Sequence, residues 1–150
     1  MEEIKIKRRN LPHWTDAGAT YFVSFHTKEG ELSLEEIEMV LEHLESGHQR
    51  FYALIAAVVM PNHVHLLIQP FPGVELSRVM KGIKGVSARK INQARGIRGS
   101  LWQDESFDRI VRDQEELEEK LQYILNNPIK EGLAEDAFDY PGLYFQWGQT

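Results

Sequence analysis

The chain has 150 residues and no cysteine, so disulfides, thiolate metal sites and cysteine nucleophiles are excluded together. At 42% hydrophobic, 27% charged and a net charge of −6, it has the composition of a folded globular chain of single-domain length. The longest apolar run, Ala53–Met60, is far short of the ~18 residues of a membrane span, and the opening MEEIKIKRRN carries no apolar stretch after its charges. One domain over residues 1–150, in the cytoplasm and away from membranes, is the expectation.

In chain order, Thr20–Thr27 (TYFVSFHT) is aromatic and β-branched and predicts a strand. Ser33–Ser46 follows as a helix, with Leu34, Ile37, Val40, Leu41 and Leu44 at helical spacing. Ser33 and Glu36 form a capping box at its start. Phe51–Met60 reads as a mostly apolar central strand, Pro61-Asn62 as a turn and His63–Gln69 as the return strand.

Glu75–Ala94 predicts a second helix with Leu76, Val79, Met80, Ile83, Val86 and Ile91 on one arc. Arg78, Lys81, Lys84 and Arg89 fall on the opposite arc with Gly82 and Gly85, and Arg95–Ser100 follows as a basic, glycine-rich loop. Leu101–Gln103 and Ser106–Val111 are short strand pieces. Asp113 caps a third helix, with Glu116 completing a second box, and Asn126-Asn127-Pro128 is expected to stop it. The order β-α-β-β-α-β-α predicts an α+β, ferredoxin-like antiparallel sheet of three to five strands with helices packed on it.

The charge is segregated. Seven basic residues and no acidic one lie between Leu76 and Gln103, with a second basic group, Lys5, Lys7, Arg8 and Arg9, near the N-terminus. An acidic protein can present a local positive field in this way, although a solvated helix face explains the pattern equally well.

Four side chains carry candidate chemistry. His63 and His65, one residue apart on a strand, leave the same face about 7 Å apart at Cα, while Val64, Leu66 and Ile68 face the core. Such a pair can converge on one ion or sit as two ordinary histidines on a half-exposed strand. On the third helix, Leu117, Leu121, Ile124 and Leu125 make the buried stripe. Tyr123 projects about 100° away from Ile124, and Asn127 lies one turn further along on the tyrosine's side. Asn127 also fits a C-cap before Pro128. A metal held by two imidazoles and an amide oxygen would keep positions open for phosphate oxygens, and its nitrogen and oxygen ligands suit Mg²⁺ or Mn²⁺, with zinc also compatible. A phenol aligned with that phosphate would be its nucleophile.

Four ordered blocks resemble a known family: VVMPNHVHLLI (Val58–Ile68), KGIKGVSARKIN (Lys81–Asn92), LWQDESFDRIVRD (Leu101–Asp113) and YILNNPIKEGL (Tyr123–Leu133). They are similar to the REP-associated tyrosine transposases, single-tyrosine members of the HUH nucleases. The resemblance implies a ferredoxin-like fold, metal ligands at His63, His65 and Asn127, and a nucleophile at Tyr123. It implies cleavage and rejoining of single-stranded DNA beside hairpins, in a prokaryotic nucleoid, by a monomer or homodimer. The tyrosine would become linked to the 5′ phosphate and leave a free 3′ hydroxyl. Two departures are Asn127, where insertion-sequence cousins carry Gln, and the lack of a basic tail after Tyr140–Trp147, which some relatives use to order the site.

On this map Lys81, Lys84 and Arg89 are expected to meet phosphates, with Arg95 and Arg98 reaching the strand from the loop. Trp102 and Gln103 are expected to stack on and hydrogen-bond an unpaired base, and Arg8 and Arg9 to reach the recognition tetranucleotide. A histidine-triad nucleotide hydrolase would want histidine where the chain has Leu67. A transposase relative that grips structured single-stranded DNA without cutting it is the alternative function.

Overall fold

A computed structural model describes residues 11–15 and 18–147. Arg8, Arg9 and the rest of the N-terminal basic group lie outside the described residues. The elements run β1 (Thr20–His26), α1 (Leu34–Gly47), β2 (Tyr52–Val59), β3 (His63–Pro70), α2 (Leu76–Arg95), β4 (Phe107–Val111), α3 (Gln114–Lys130), a 3₁₀ turn (Ala137–Asp139) and β5 (Leu143–Phe145). The strands form one five-stranded antiparallel sheet in the order β4-β1-β3-β2-β5. Its first four strands have the ferredoxin-like arrangement expected from the sequence.

Period-two alternation divides the sheet's side chains between two cores. On one face Val23, Phe25, Leu54, Val64, Leu66 and Ile68 pack with Ile37, Val40 and Leu44 of α1 and Val79, Ile83 and Ile91 of α2. On the other, Phe22, Ala56, Val58 and Leu67 pack with Leu117, Leu121 and Ile124 of α3. The basic helix α2 and the tyrosine-bearing helix α3 therefore lie on opposite faces of the sheet. A bulge between Leu54 and Ala56 shifts the β2–β3 register, returning the alternating side chains of β2 to their proper faces.

The first capping box forms as expected: the Ser33 hydroxyl accepts from the Glu36 amide at 3.2 Å and Glu36 Oε1 accepts from the Ser33 amide at 2.8 Å. The second forms only by half. The Asp113 carboxylate accepts from the Glu116 amide at 2.8 Å, but the Glu116 carboxylate turns outward to Arg109 at 2.9 Å. Along α2, Val86 lies at the edge of the buried arc, and Ser87 occupies the interior position beside it.

One expectation fails toward the C-terminus, and one element there was not anticipated. Helix α3 continues through Pro128 to Lys130 instead of stopping before it. The last turn survives because the Glu131 amide donates to the Asn127 carbonyl at 3.1 Å, and Gly132, at a φ of 73°, closes the helix with its amide on the Ile129 carbonyl. Strand β5 is too short to announce itself in the sequence. It reaches β2 because residue 142 is glycine, where a Cβ would run into the Val59 carbonyl that lies beside it.

Candidate functional site

The His63–His65 pair starts immediately after a turn that is tied to neighbouring chain. The Met60 amide donates to the His63 carbonyl at 2.8 Å, closing the turn, and the Thr27 amide donates to the Asn62 carbonyl at 2.9 Å. Strand β3 pairs with β1 so that His65 stands opposite Ser24 and His63 opposite His26. Phe22, Ser24 and His26 of β1 thus share the face of His63, His65 and Leu67, and α3 covers that face.

Between α3 and this part of the sheet lies an open cleft of about 570 Å³, lined by His26, His63, His65, Lys120, Tyr123 and Asn127 among others. The Tyr123 ring stands edge-on to His65, centroids 5.1 Å apart, and edge-on to Phe22 at 5.8 Å. His63 and His65 are 4.8 Å apart, and His26 stacks on His63 at 5.4 Å. Tyr123 is 49% exposed, whereas His65 is 6% and Asn127 7% exposed. The tyrosine, both histidines and the asparagine of one chain therefore converge without help from a second subunit.

The hydrogen bonds fix which ring nitrogens face the cleft. In the tautomer protonated at Nδ1, His63 donates to Asn62 Oδ1 at 2.7 Å. Nε2 of the neutral ring then presents its lone pair to Asn127 Oδ1, 3.4 Å away and also an acceptor. Two acceptors facing each other across that gap are what a cation between them would resolve. His65 Nδ1 meets the buried Ser24 hydroxyl at 2.5 Å, and in the tautomer that donates to it the Nε2 lone pair is free for the cleft. Burial, reinforced by the charges of His63, His26 and Lys120, pushes the His65 pKa down to about 3. Burial also lowers that of His63, against the opposing pull of Asn127 and Glu131. Both rings are consequently neutral at pH 7, the form in which imidazole binds metal. The donor set fits a divalent cation.

Asn127 is not a helix cap. The extension of α3 past Pro128 places it inside the helix, with its side chain free to face His63. Its spacing from Tyr123 nevertheless puts both on the cleft, as the sequence predicts.

The expected DNA contacts divide. Lys81, Arg89 and Arg98 are exposed, and Lys81 lines a second groove of about 440 Å³ between α2 and residues 100–106. Lys84, half-buried in the wall of the same groove, commits its ammonium to the Gln103 carbonyl at 2.7 Å, the Asp104 carbonyl at 3.2 Å and the Ser106 hydroxyl at 3.1 Å. Arg95 is not on a loop. It ends α2 and grips Glu36 through two nitrogens at 2.6 and 2.9 Å, with a third bond to the Glu31 carbonyl. Trp102 is 4% exposed, with its indole N–H on the Ser87 hydroxyl at 3.0 Å and its ring edge-on to Phe25 at 4.8 Å. It is a core residue and has no free face for a base. Gln103 is exposed, with its amide on the Thr27 carbonyl at 3.3 Å.

Sequence reasoning missed Phe22, Ser24, His26, Phe107, Lys120, Lys130 and Glu131, all of which line the cleft. The β1 residues carry the same alternation as the histidine pair, but their register against β3 is not written in either strand. Lys120 had a readable signal, standing one helical turn before Tyr123.

Comparison with known proteins places the chain in a family and its fold beside a solved one. The family model of IS200-like transposases matches residues 25–127. A Haemophilus influenzae protein classed with the REP-associated tyrosine transposases is 26% identical over 100 residues, covering 60% of this chain and 57% of that protein. The chain thus spans little more than half of that relative's length. The REP-associated tyrosine transposase of Escherichia coli is 25% identical over 129 residues, covering 83% of this chain and 74% of that one. A solved structure of a REP-associated tyrosine transposase bound to a REP hairpin shares the fold, with a TM-score of 0.65 at 20% identity over 93% of this chain and 82% of that one. Among the described residues no helix is long and apolar enough to cross a membrane.

Proposed function

The chain belongs to the IS200-like transposase family, and on that premise we propose that it is a metal-dependent single-stranded DNA nuclease and strand transferase that uses Tyr123 as its nucleophile beside a DNA hairpin. The observation that carries the reading is the meeting, within one chain, of the Tyr123 ring with His65 at 5.1 Å and of His63 Nε2 with Asn127 Oδ1 at 3.4 Å. The hairpin is inferred from the relatives' names and from the REP hairpin bound in the similar structure.

His63, His65 and Asn127 would hold the cation, Mg²⁺ or Mn²⁺. When bound, it supplies a Lewis acid that polarises the scissile phosphate. Ser24 and Asn62 orient the two imidazoles, each through Nδ1. The half-exposed Tyr123 is open to a strand lying in the cleft. In the reaction its phenol oxygen bonds to phosphorus, the P–O3′ bond breaks, and the phenol's proton ends on the released 3′ hydroxyl. The 5′ phosphate stays on the tyrosine, which conserves the energy for rejoining. A single strand can pass from the α2 groove to the cleft around the β4 edge, because Gln103 and Ser106 line the first and Phe107 the second.

The test is incubation with hairpin-bearing single-stranded oligonucleotides and Mn²⁺ or Mg²⁺. A covalent protein–DNA adduct should form with the native chain and be absent with Tyr123→Phe. Hairpin binding with no adduct from the native chain would leave a structured single-stranded DNA-binding protein in place of a nuclease.

A further inference from the structure

Helix α3 presents Lys120, Tyr123, Asn127 and Lys130 to the same cleft. Their spacing of three, four and three residues makes one stripe, rising about 15 Å from end to end. The nucleophile and the amide therefore stand between two lysines, and the lysine next to the nucleophile is Lys120.

Lys120 is half-buried, with its ammonium over the Phe22 ring at 4.9 Å from the centroid. Phe22 is also stacked on His65 at 5.5 Å and edge-on to Tyr123 at 5.8 Å. One phenylalanine thus holds the ammonium, the imidazole and the phenol around itself. No carboxylate is paired with Lys120 among the described ion pairs. The carboxylate that lines the cleft, Glu131, is at the other end of the stripe, eleven residues along from Lys120. Among the described residues no hydrogen-bond acceptor meets this ammonium, which leaves its N–H donors for a ligand in the cleft.

We propose that Lys120 is a catalytic residue whose ammonium binds a non-bridging oxygen of the phosphate attacked by Tyr123. The assignment rests on the nuclease reading above. As the tyrosine oxygen approaches phosphorus, charge gathers on the equatorial oxygens, and a fixed ammonium bonds more strongly to them than to the ground-state diester. Lys120 donates a hydrogen bond and no proton, so the balance of the transfer is unchanged.

The experiment measures adduct formation by the native chain, Lys120→Met and Lys120→Arg on a hairpin oligonucleotide under single-turnover conditions. Expected are a fall of about 100-fold in the rate for Lys120→Met, with oligonucleotide affinity changed only a few-fold, and substantial recovery in Lys120→Arg. The same three proteins are then compared on an oligonucleotide whose scissile phosphate carries a methyl in place of one non-bridging oxygen. The gap between native chain and Lys120→Met should narrow there, since the partner oxygen is gone, whereas a purely structural defect would persist. An adduct from the native chain with an undiminished rate in Lys120→Met overturns the assignment and leaves the nuclease reading intact. No adduct from the native chain overturns both.

Discussion

Arg95 lies in the basic segment that the sequence assigns to DNA, yet the structure gives it a different task, and the two roles respond oppositely to mutation. Its guanidinium makes a forked contact with Glu36, whose side chain is 12% exposed against 30% for the arginine. This bond, helped by the Ser33 amide, holds the Glu36 pKa at about 2 against an ordinary 4.5, in spite of burial pulling it upward. Converted directly, the difference sets a ceiling of roughly 3 kcal/mol. Water reaches the partly exposed guanidinium, and screening reduces the coupling to about 1–2 kcal/mol. Urea denaturation of the native chain, Glu36→Gln, Arg95→Met and the double variant measures it as a double-mutant cycle. The depressed carboxyl pKa sets the sign: the stabilisation is complete above pH ~5, shrinks as pH falls below the unfolded value and is gone near pH 2. A coupling that is near zero at pH 7, or that is the same at pH 7 and pH 2.5, would refute the brace. So would Arg95→Met lowering the salt slope of DNA binding while leaving stability untouched.

Lys81 and Lys84 should separate in the same manner. Lys81→Met is expected to reduce the slope of log affinity against log salt by about 0.7 on a single-stranded oligonucleotide, whereas Lys84→Met should lower the melting temperature and shift the slope little. Trp102→Phe removes the indole donor and leaves the buried Ser87 hydroxyl without it, so it should cost about 1–3 kcal/mol in urea unfolding with oligonucleotide affinity unchanged. Ser24→Ala frees the His65 ring about its χ angles, and Mn²⁺ titration by calorimetry should show affinity weakened by about tenfold or more.

The three helices and strands β1 to β4 were legible because each carries a local signal. The capping box at Ser33 and the apolar stripe fixed both ends of α1, the turn at Pro61-Asn62 fixed the start of β3, and Asp113 fixed the start of α3, each to within a residue or two. The histidine pair was legible for the same reason, since alternation on one strand decides which face both rings share. What could not be read depends on partners distant in sequence. Lys84 and Arg95 looked like solvent-facing cations because the atoms that hold them, the carbonyls of Gln103 and Asp104 and the carboxylate of Glu36, belong to other elements. Trp102 presented the same ambiguity, resolved only by its bridge to Thr27 and its contact with Phe25.

Pro128 shows how a correct local rule can still mislead about a site. Proline disfavours the helical conformation in the residue before it and removes an N–H, and both effects predict a stop at Asn127. The stop fails because Pro128 and Leu125 are buried and the chain beyond is caught by the Gly132 turn, so packing outweighs the local preference. The outcome matters for chemistry. Were Asn127 a cap, its side chain would be turned back on the helix's own backbone. As an interior residue it lies one turn from Tyr123, with its carbonyl oxygen on the lone-pair side of His63. Continuation of the helix also carries Lys130 and Glu131 to the cleft. The spacing that marks the tyrosine and the asparagine in the sequence thus acquires its function from a helix that runs past its expected end.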